Sequence, residues 1–246
     1  MGILRVPHVP VHGASVMRRL ALDEAVFRDP LKRSWLVVPE LSVPPAGADG
    51  GASDNVVVMG LSGKLDELVH AERARADGVA VLRRFSGGGT VVLNAGSLWF
   101  TMVTSEPVCA PFPKDVMRWV GAVYAQALGG HVDARMVEND LVVRGAKVAG
   151  HAQAISGSRW VHHTSLLWTL TAQQMSYLKL PARRPAYRGD RDHLEFVAGV
   201  SALAPGLSQQ ELIDAVVRHV VEALPAVAAA DPLPPLVEPT RNSWVM

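Results

Sequence analysis

The chain has 246 residues, 49% hydrophobic and 19% charged, and its 24 basic and 23 acidic residues leave a formal net charge of +1. This composition buries a sizeable core in one large domain and excludes a disordered or low-complexity protein. The charge balance, with no long Lys/Arg block and no basic–aromatic interleaving, excludes a general electrostatic attraction to nucleic acid or to an anionic membrane.

The single cysteine, Cys109, rules out an internal disulfide framework and a cysteine-based zinc site, and it suits a reducing compartment. No apolar run has the length to span a bilayer. The N-terminus lacks a secretory pattern. Arg5, Arg18 and Arg19 precede the first acidic residue, Asp23, as in organellar leaders, but Met17 to Ala25 already reads as a domain helix. The cytoplasm is the expected compartment, with the mitochondrial matrix as the alternative.

Met17, Leu20, Ala21 and Ala25 recur at helical spacing and predict an amphipathic helix over about residues 14–28, ended before Pro30. Trp35 to Val38 is a short strand. Residues 39–54 are rich in Pro, Gly, Ala and Ser and read as a surface loop insertion, because Asn55 to Gly60 resumes a strand pattern. A helix near 64–76 and a strand from Val79 to Arg84 follow. Ser86 to Gly89 interrupts that strand, and two further strands, Thr90 to Leu93 and Ser97 to Val103, meet at the turn Asn94-Ala95-Gly96. A helix over about 114–128 shows Val116, Val120, Val123, Tyr124 and Ala127 on one face.

Several strands are expected between 140 and 170, with Arg144-Gly145 as a hairpin turn between the first two. Ser208 to Glu211 has the capping-box pattern and opens a helix whose buried face carries Leu212, Ile213, Val216, Val217, Val220, Val221 and Leu224. The tail over 225–246 is Ala/Pro-rich and is expected on the surface. Strands in succession followed by separated helices predict an α+β fold with a mixed, largely antiparallel sheet flanked by helices, in a single domain over 1–246 with no large accessory domain.

Three constellations have the residue types for chemistry. In Arg83-Arg84-Phe85-Ser86-Gly87-Gly88-Gly89-Thr90, the glycines let backbone approach a ligand and expose N–H groups to an anion. Alternation along the strand lets only one of the two arginines face such a site. The same residues also suit a plain glycine-rich turn with solvated arginines. In Glu138 to Gly150, Asp140 and Lys147 flank a hairpin. They suit either a Mg²⁺–nucleotide site with a cation for a negatively charged transition state or a cross-hairpin salt bridge. His162-His163 point to opposite faces of a strand, so they are a poor joint metal ligand set, and one of them can face a pocket.

Arg84-x-Ser86-Gly87-Gly88-Gly89, Asn139-Asp140-Leu141, Gly145-x-Lys147-Val148-x-Gly150-x-Ala152-Gln153 and His162-His163-x-x-Leu166-Leu167 stand in the order and approximate spacing of the motifs of the lipoate–protein ligase A family. Over roughly residues 14–205 the chain resembles that family. The resemblance implies the fold of biotin and lipoate ligases, related to class II aminoacyl-tRNA synthetase cores. It implies ATP-dependent activation of lipoate or octanoate to an acyl-adenylate, with Mg²⁺, and transfer to a lysine of a lipoyl domain of 2-oxoacid dehydrogenases or of glycine-cleavage H protein. It makes Lys147 the catalytic cation. Arg84, Ser86, Gly87, Gly88 and Gly89 would line the acyl and phosphate pocket, with Gly150, Ala152 and His163 beside the ligand. Asn139, Asp140 and Lys147 would face the nucleotide, with Asp140 on the metal.

The chain departs from the family's pattern at Leu93-Asn94, at Thr164 and at Gly60 to Gly63, which leaves the acid open. It ends about 40 residues after the catalytic core, so a separate accessory subunit is a further expectation. The alternatives are octanoyl transfer from acyl carrier protein through a cysteine thioester, and a non-catalytic acyl-binding protein on the same fold. Cys109 lies far from the Asn139-Asp140 position where one form of that transferase branch carries its cysteine. The basic segment from Leu180 to His193 suits either docking of an acidic acceptor domain or an ordinary packed loop.

Overall fold

The computed structural model describes residues 1–7, 12–41, 54–224, 234 and 242–246. Most of the expected surface loop and most of the tail lie outside the described residues.

Helix α1 (Gly13–Phe27) follows strand β1 (Gly2–Pro7), a strand that the sequence pattern does not announce. The chain then forms β2 (Trp35–Glu40) and β3 (Val56–Met59). The helix expected near 64–76 is two short ones, α2 (Leu65–Leu68) and α3 (Ala71–Ala76). Between them Val69 is extended and bridges to Leu178, while the His70 N–H donates to the Tyr177 carbonyl. A tertiary strand-like contact therefore outweighs local helix propensity there.

Strands β4 (Ala80–Arg83), β5 (Gly87–Gly88), β6 (Val91–Leu93) and β7 (Ser97–Thr104) lead to helix α4 (Pro113–Leu128). Next come β8 (Ala134–Val137), β9 (Asp140–Val143), β10 (Ala146–Lys147), β11 (Ala149–Ser156) and β12 (Arg159–Leu167). Three four-residue helices, α5 (Ala172–Met175), α6 (His193–Phe196) and α7 (Val200–Leu203), precede α8 (Gln209–Ala223), which opens with the expected Ser208–Glu211 capping box.

A six-stranded sheet in the order β1-β2-β7-β12-β11-β5 dominates. Among the described strands only the β1–β2 pair of this sheet and the β3–β4 pair of a smaller one run parallel, so the expected mixed, largely antiparallel α+β class is what the structure shows. A four-stranded sheet, β13-β4-β3-β6, stands beside it, where β13 is Ser243–Trp244, and a three-stranded sheet, β10-β9-β8, lies at the site. The central strands are buried on both faces. Leu36 and Val38 of β2 enter one core with Phe100, Trp160, α4 and α8, whereas Trp35 and Val37 enter another with Val26 of α1, Phe85 and Val161. Period-two alternation thus feeds a core on each side of one sheet.

The tail does not stay on the surface throughout. Asn242 is buried: its Oδ1 accepts from the Phe85 N–H at 2.8 Å, and its Nδ2 donates to Glu24 and to the Leu20 carbonyl. The last residues extend the edge of β4. Composition predicts exposure there, but an open strand edge and unpaired backbone groups draw the chain back. Among the described residues no helix is long and apolar enough to cross a membrane.

Candidate active site

Strand β11 separates two cavities. The inner one, about 20 Å³, is lined by Val58, Arg84, Val91, Leu93, Trp99, Gly150, His151, Ala152, His163 and Ser165; it has room for about one water molecule. The outer cleft, about 630 Å³, is lined by Gly87 to Val91, the start of α4, Asn139, Asp140, Lys147 and residues 150–155. That volume is of the size that holds small ligands.

The two arginines at the end of β4 diverge as alternation requires. Arg83 donates to the carbonyls of Gly60, Leu61 and Gly63. Arg84 is 3% exposed and donates to the carbonyls of Val58 (3.2 Å), Gly89 (2.7 Å) and Gly87 (3.4 Å). Its guanidinium therefore fastens the glycine loop to β3. Among the described residues no carboxylate pairs with it, and burial pulls its pKa down to about 10. A buried cation held only by carbonyl dipoles suits an anionic ligand.

Gly88 has φ 124°, and a Cβ there would meet the His151 carbonyl at 2.5 Å. The loop pairs with β11 through Gly88–Ala152 and Gly87–Gln153, so its glycines let two backbones meet at the cleft.

Ser86 corrects one expectation. It is fully buried and lines neither cavity; its hydroxyl sits 3.1 Å from Nδ1 of His163. Its side chain is turned to the His163 ring and not to either of these two cavities. Behind His163 lies a polar group with no motif of its own. Asp23 accepts from Arg19 Nε (3.0 Å) and from the Thr101 hydroxyl (2.8 Å), and its Oδ2 is 3.6 Å from His163 Nε2. Burial pushes the Asp23 carboxyl up. Burial, followed by the Arg84 charge, holds His163 well below the ordinary imidazole range, so the ring is neutral at pH 7.

The hairpin of β9 and β10 turns at Arg144-Gly145, both with positive φ (49° and 81°), as a type I′ turn requires. Its register sets Lys147 opposite Val142, and Asp140 shares that face two residues on. Lys147 Nζ lies 2.6 Å from Asp140 Oδ1, and the Tyr187 hydroxyl donates to Asp140 Oδ2 at 2.9 Å. Burial, then the Asp140 charge, raises the Tyr187 pKa.

Part of the basic segment packs against the site, while Arg183 and Arg184 stay exposed. The Ala186 N–H donates to Glu138, Arg188 is 4% exposed over the Phe196 ring, and Arg191 donates to the carbonyls of Gly145 and Tyr187. On the α4-facing side of the sheet, the half-buried Gln153 and His151 flank the buried His162 in a chain of 3.1 Å contacts. Cys109 lines neither cavity, and burial, then Asp115, raises its thiol pKa, the opposite of activation.

The profile of the lipoyl protein ligase A/B catalytic domain matches residues 52–224. The chain belongs to this family. Its fold is shared with a bipartite lipoate–protein ligase of Thermoplasma acidophilum, described together with its E2 lipoyl domain (TM-score 0.69, 23% identity, 90% of this chain and 82% of that one). A lipoate–protein ligase A bound with ATP is similar to the same degree (TM-score 0.69, 22% identity, 90% and 84%). In sequence the chain is 24% identical over 180 residues to inactive lipoate–protein ligase 2 of Plasmodium falciparum, covering 58% of this chain. It spans about half the length, 47%, of that curated relative.

Of the expected site residues of this ligase domain, Gly87, Gly88, Gly89, Asn139, Asp140 and Lys147 meet in the outer cleft. Arg84 and His163 line the inner cavity, and Gly150 and Ala152 border both. Sequence reasoning missed His151, Tyr187 and the Arg19–Asp23–Thr101 group. Only His151 carried a signal, as the residue skipped between Gly150 and Ala152.

Proposed function

We propose that this chain activates a carboxylic acid with ATP and transfers the acyl group to a lysine of a lipoyl domain, lipoate or octanoate being the acid. The observation that carries the reading is the convergence, in one cleft, of the Lys147–Asp140 pair and the glycine loop that the buried Arg84 cation fastens. A carboxylate does not acylate an amine unaided at neutral pH. Activation needs the phosphates held in line with the acid and the developing negative charge met by fixed cations and N–H donors. Arg84 supplies one cation beside the inner cavity and Lys147 another in the cleft, and the loop supplies backbone donors between them.

Asp140 is the carboxylate lining the cleft among the described residues, and no cluster of three metal-ligating side chains occurs there. Mg²⁺ on a nucleotide takes one or two carboxylates and completes its shell with phosphate and water oxygens, so Asp140 fits it. When bound, the ion would offset phosphate charge. Asp140 would hold it in exchange for the Lys147 ammonium, which would then be free to face the leaving pyrophosphate, while Tyr187 keeps the carboxylate oriented. In the bipartite relative the ligase comes in two parts. By analogy a separate accessory subunit is proposed here, with a lipoyl domain or H protein as acceptor.

A second reading, a non-catalytic acyl-binding member, has two supports. An eight-carbon chain exceeds the inner cavity as it stands, and a relative at 24% identity is named inactive. Pyrophosphate exchange separates the two. With Mg²⁺, ATP and octanoate or lipoate, acid-dependent exchange is expected, and Lys147→Ala should reduce it by at least about 100-fold. Acid binding without exchange would establish the second reading instead.

A further inference from the structure

His151 is not among the residues the family resemblance points to, yet it borders both cavities. Its hydrogen bonds determine which ring nitrogen carries the proton. The amide Nε2 of Gln153 donates to Nδ1 of His162 at 3.1 Å. His162 therefore carries its proton on Nε2, which lies 3.1 Å from Nδ1 of His151 and donates to it. The Thr164 hydroxyl, at 3.3 Å, reaches the same acceptor. A neutral His151 must then hold its proton on Nε2. That atom is buried and has no partner among the described residues. Burial, then the nearby Lys147 charge, takes the His151 pKa down to about 3, and burial, then His151, depresses His162, so both rings are neutral.

Buried donors without an acceptor are rare in folded proteins and call for an explanation. Here the unmatched N–H belongs to a residue that lines both the inner cavity, where an acid would lie, and the cleft that holds Lys147, whose charge acts on its ring. We infer that His151 donates from Nε2–H to an oxygen of the activated acyl group, with Gln153 and His162 as the positioning residues that set its tautomer. The inference rests on the acid-activating reading above. A neutral imidazole suits this role, because it offers a fixed N–H dipole to an oxygen that gains negative charge and keeps that proton at neutral pH.

The test compares wild type, His151→Phe and His151→Gln in ATP–pyrophosphate exchange with octanoate, with the histidine ¹⁵N spectrum of the unliganded protein measured in parallel. The phenyl ring keeps the volume without the donor, and the glutamine amide restores a donor. Exchange turnover should fall about 100-fold in His151→Phe with the KM for ATP within about threefold, and His151→Gln should recover at least about tenfold of it. The His151 Nε2 resonance should be of the protonated, pyrrole type. Wild-type exchange that vanishes in Lys147→Ala but is unchanged in His151→Phe would overturn the inference and leave the ligase reading standing. Absence of exchange in wild type would remove both. Should His151→Phe fail to fold, the spectrum decides, since an unprotonated Nε2 overturns the proposal.

Discussion

Gly150 stands where the acid should lie, and adding one methyl group there is a direct test of the inner cavity. A Cβ at this position would sit 2.5 Å from Val91 Cγ1 and 2.9 Å from Ser165 Oγ. Carbon atoms in contact settle at about 3.5–4.0 Å, so Val91 must retreat by about 1 Å. Its β-branched side chain has little rotamer freedom, and β6 is paired to β3. The displacement therefore falls on packed structure, at a cost of about 1–3 kcal/mol. For a chain of this size each kcal/mol lowers Tm by about 2–4 °C, giving an expected fall of about 2–12 °C in Gly150→Ala. The cavity of about 20 Å³ also loses its remaining room. In exchange assays the KM for the acid should rise about 10–200-fold, the usual penalty for a methyl-sized misfit, while that for ATP changes little. A lowered Tm with an unchanged acid KM would show that the acid binds outside the inner cavity, and an unchanged Tm would refute the packing argument itself.

Two further outcomes concern stability. His151, at about 3, together with the depressed His162 and His163, is neutral in the native state and titrates at its ordinary value of 6.5 when unfolded. The unfolded chain therefore binds more protons below pH 6.5, and stability present above that pH is lost as pH falls toward 3, by up to about 1.4 kcal/mol per pH unit for each ring. Asp23, with its raised pKa, acts in the opposite sense and regains stability as pH falls from its native value toward 3.8. The three rings should dominate, so the urea midpoint should drop clearly between pH 7 and 5; a flat midpoint would refute the neutral assignments. Asn242→Ala strips the Phe85 N–H of its acceptor and removes a donor from Glu24. The expected loss is about 2–4 kcal/mol in urea unfolding, and a change below about 0.5 kcal/mol would show that the C-terminal return does not support the glycine loop.

Much of this protein is legible in its sequence because the signals are local. Period-two and helical spacing predict α1, α4, α8 and most strands, since alternation and the 3.6-residue turn are properties of the backbone alone. The Arg144-Gly145 turn and the divergence of Arg83 from Arg84 follow from the same local rules. The ordered motifs are enough to bring Asn139, Asp140, Lys147 and the glycine loop to one place.

Tertiary structure alone decided what lies between those motifs. Motif position makes Ser86 a pocket wall, but strand direction turns its hydroxyl to His163. The sequence leaves the segment around Arg188 and Arg191 open between docking and packing; in the fold the loop turns back on Glu138 and Asp140, and these two arginines contact carbonyls and rings. Arg19, Asp23 and Thr101 come from α1 and β7, about 80 residues apart in the chain, and no spacing rule joins them. The width of the inner cavity depends on Val91, Leu93, Trp99 and Gly150 meeting across separate strands. A sequence specifies which side chains are available and which face of an element each occupies; which faces meet is settled by packing over long separations, and the choice of acid depends on that packing.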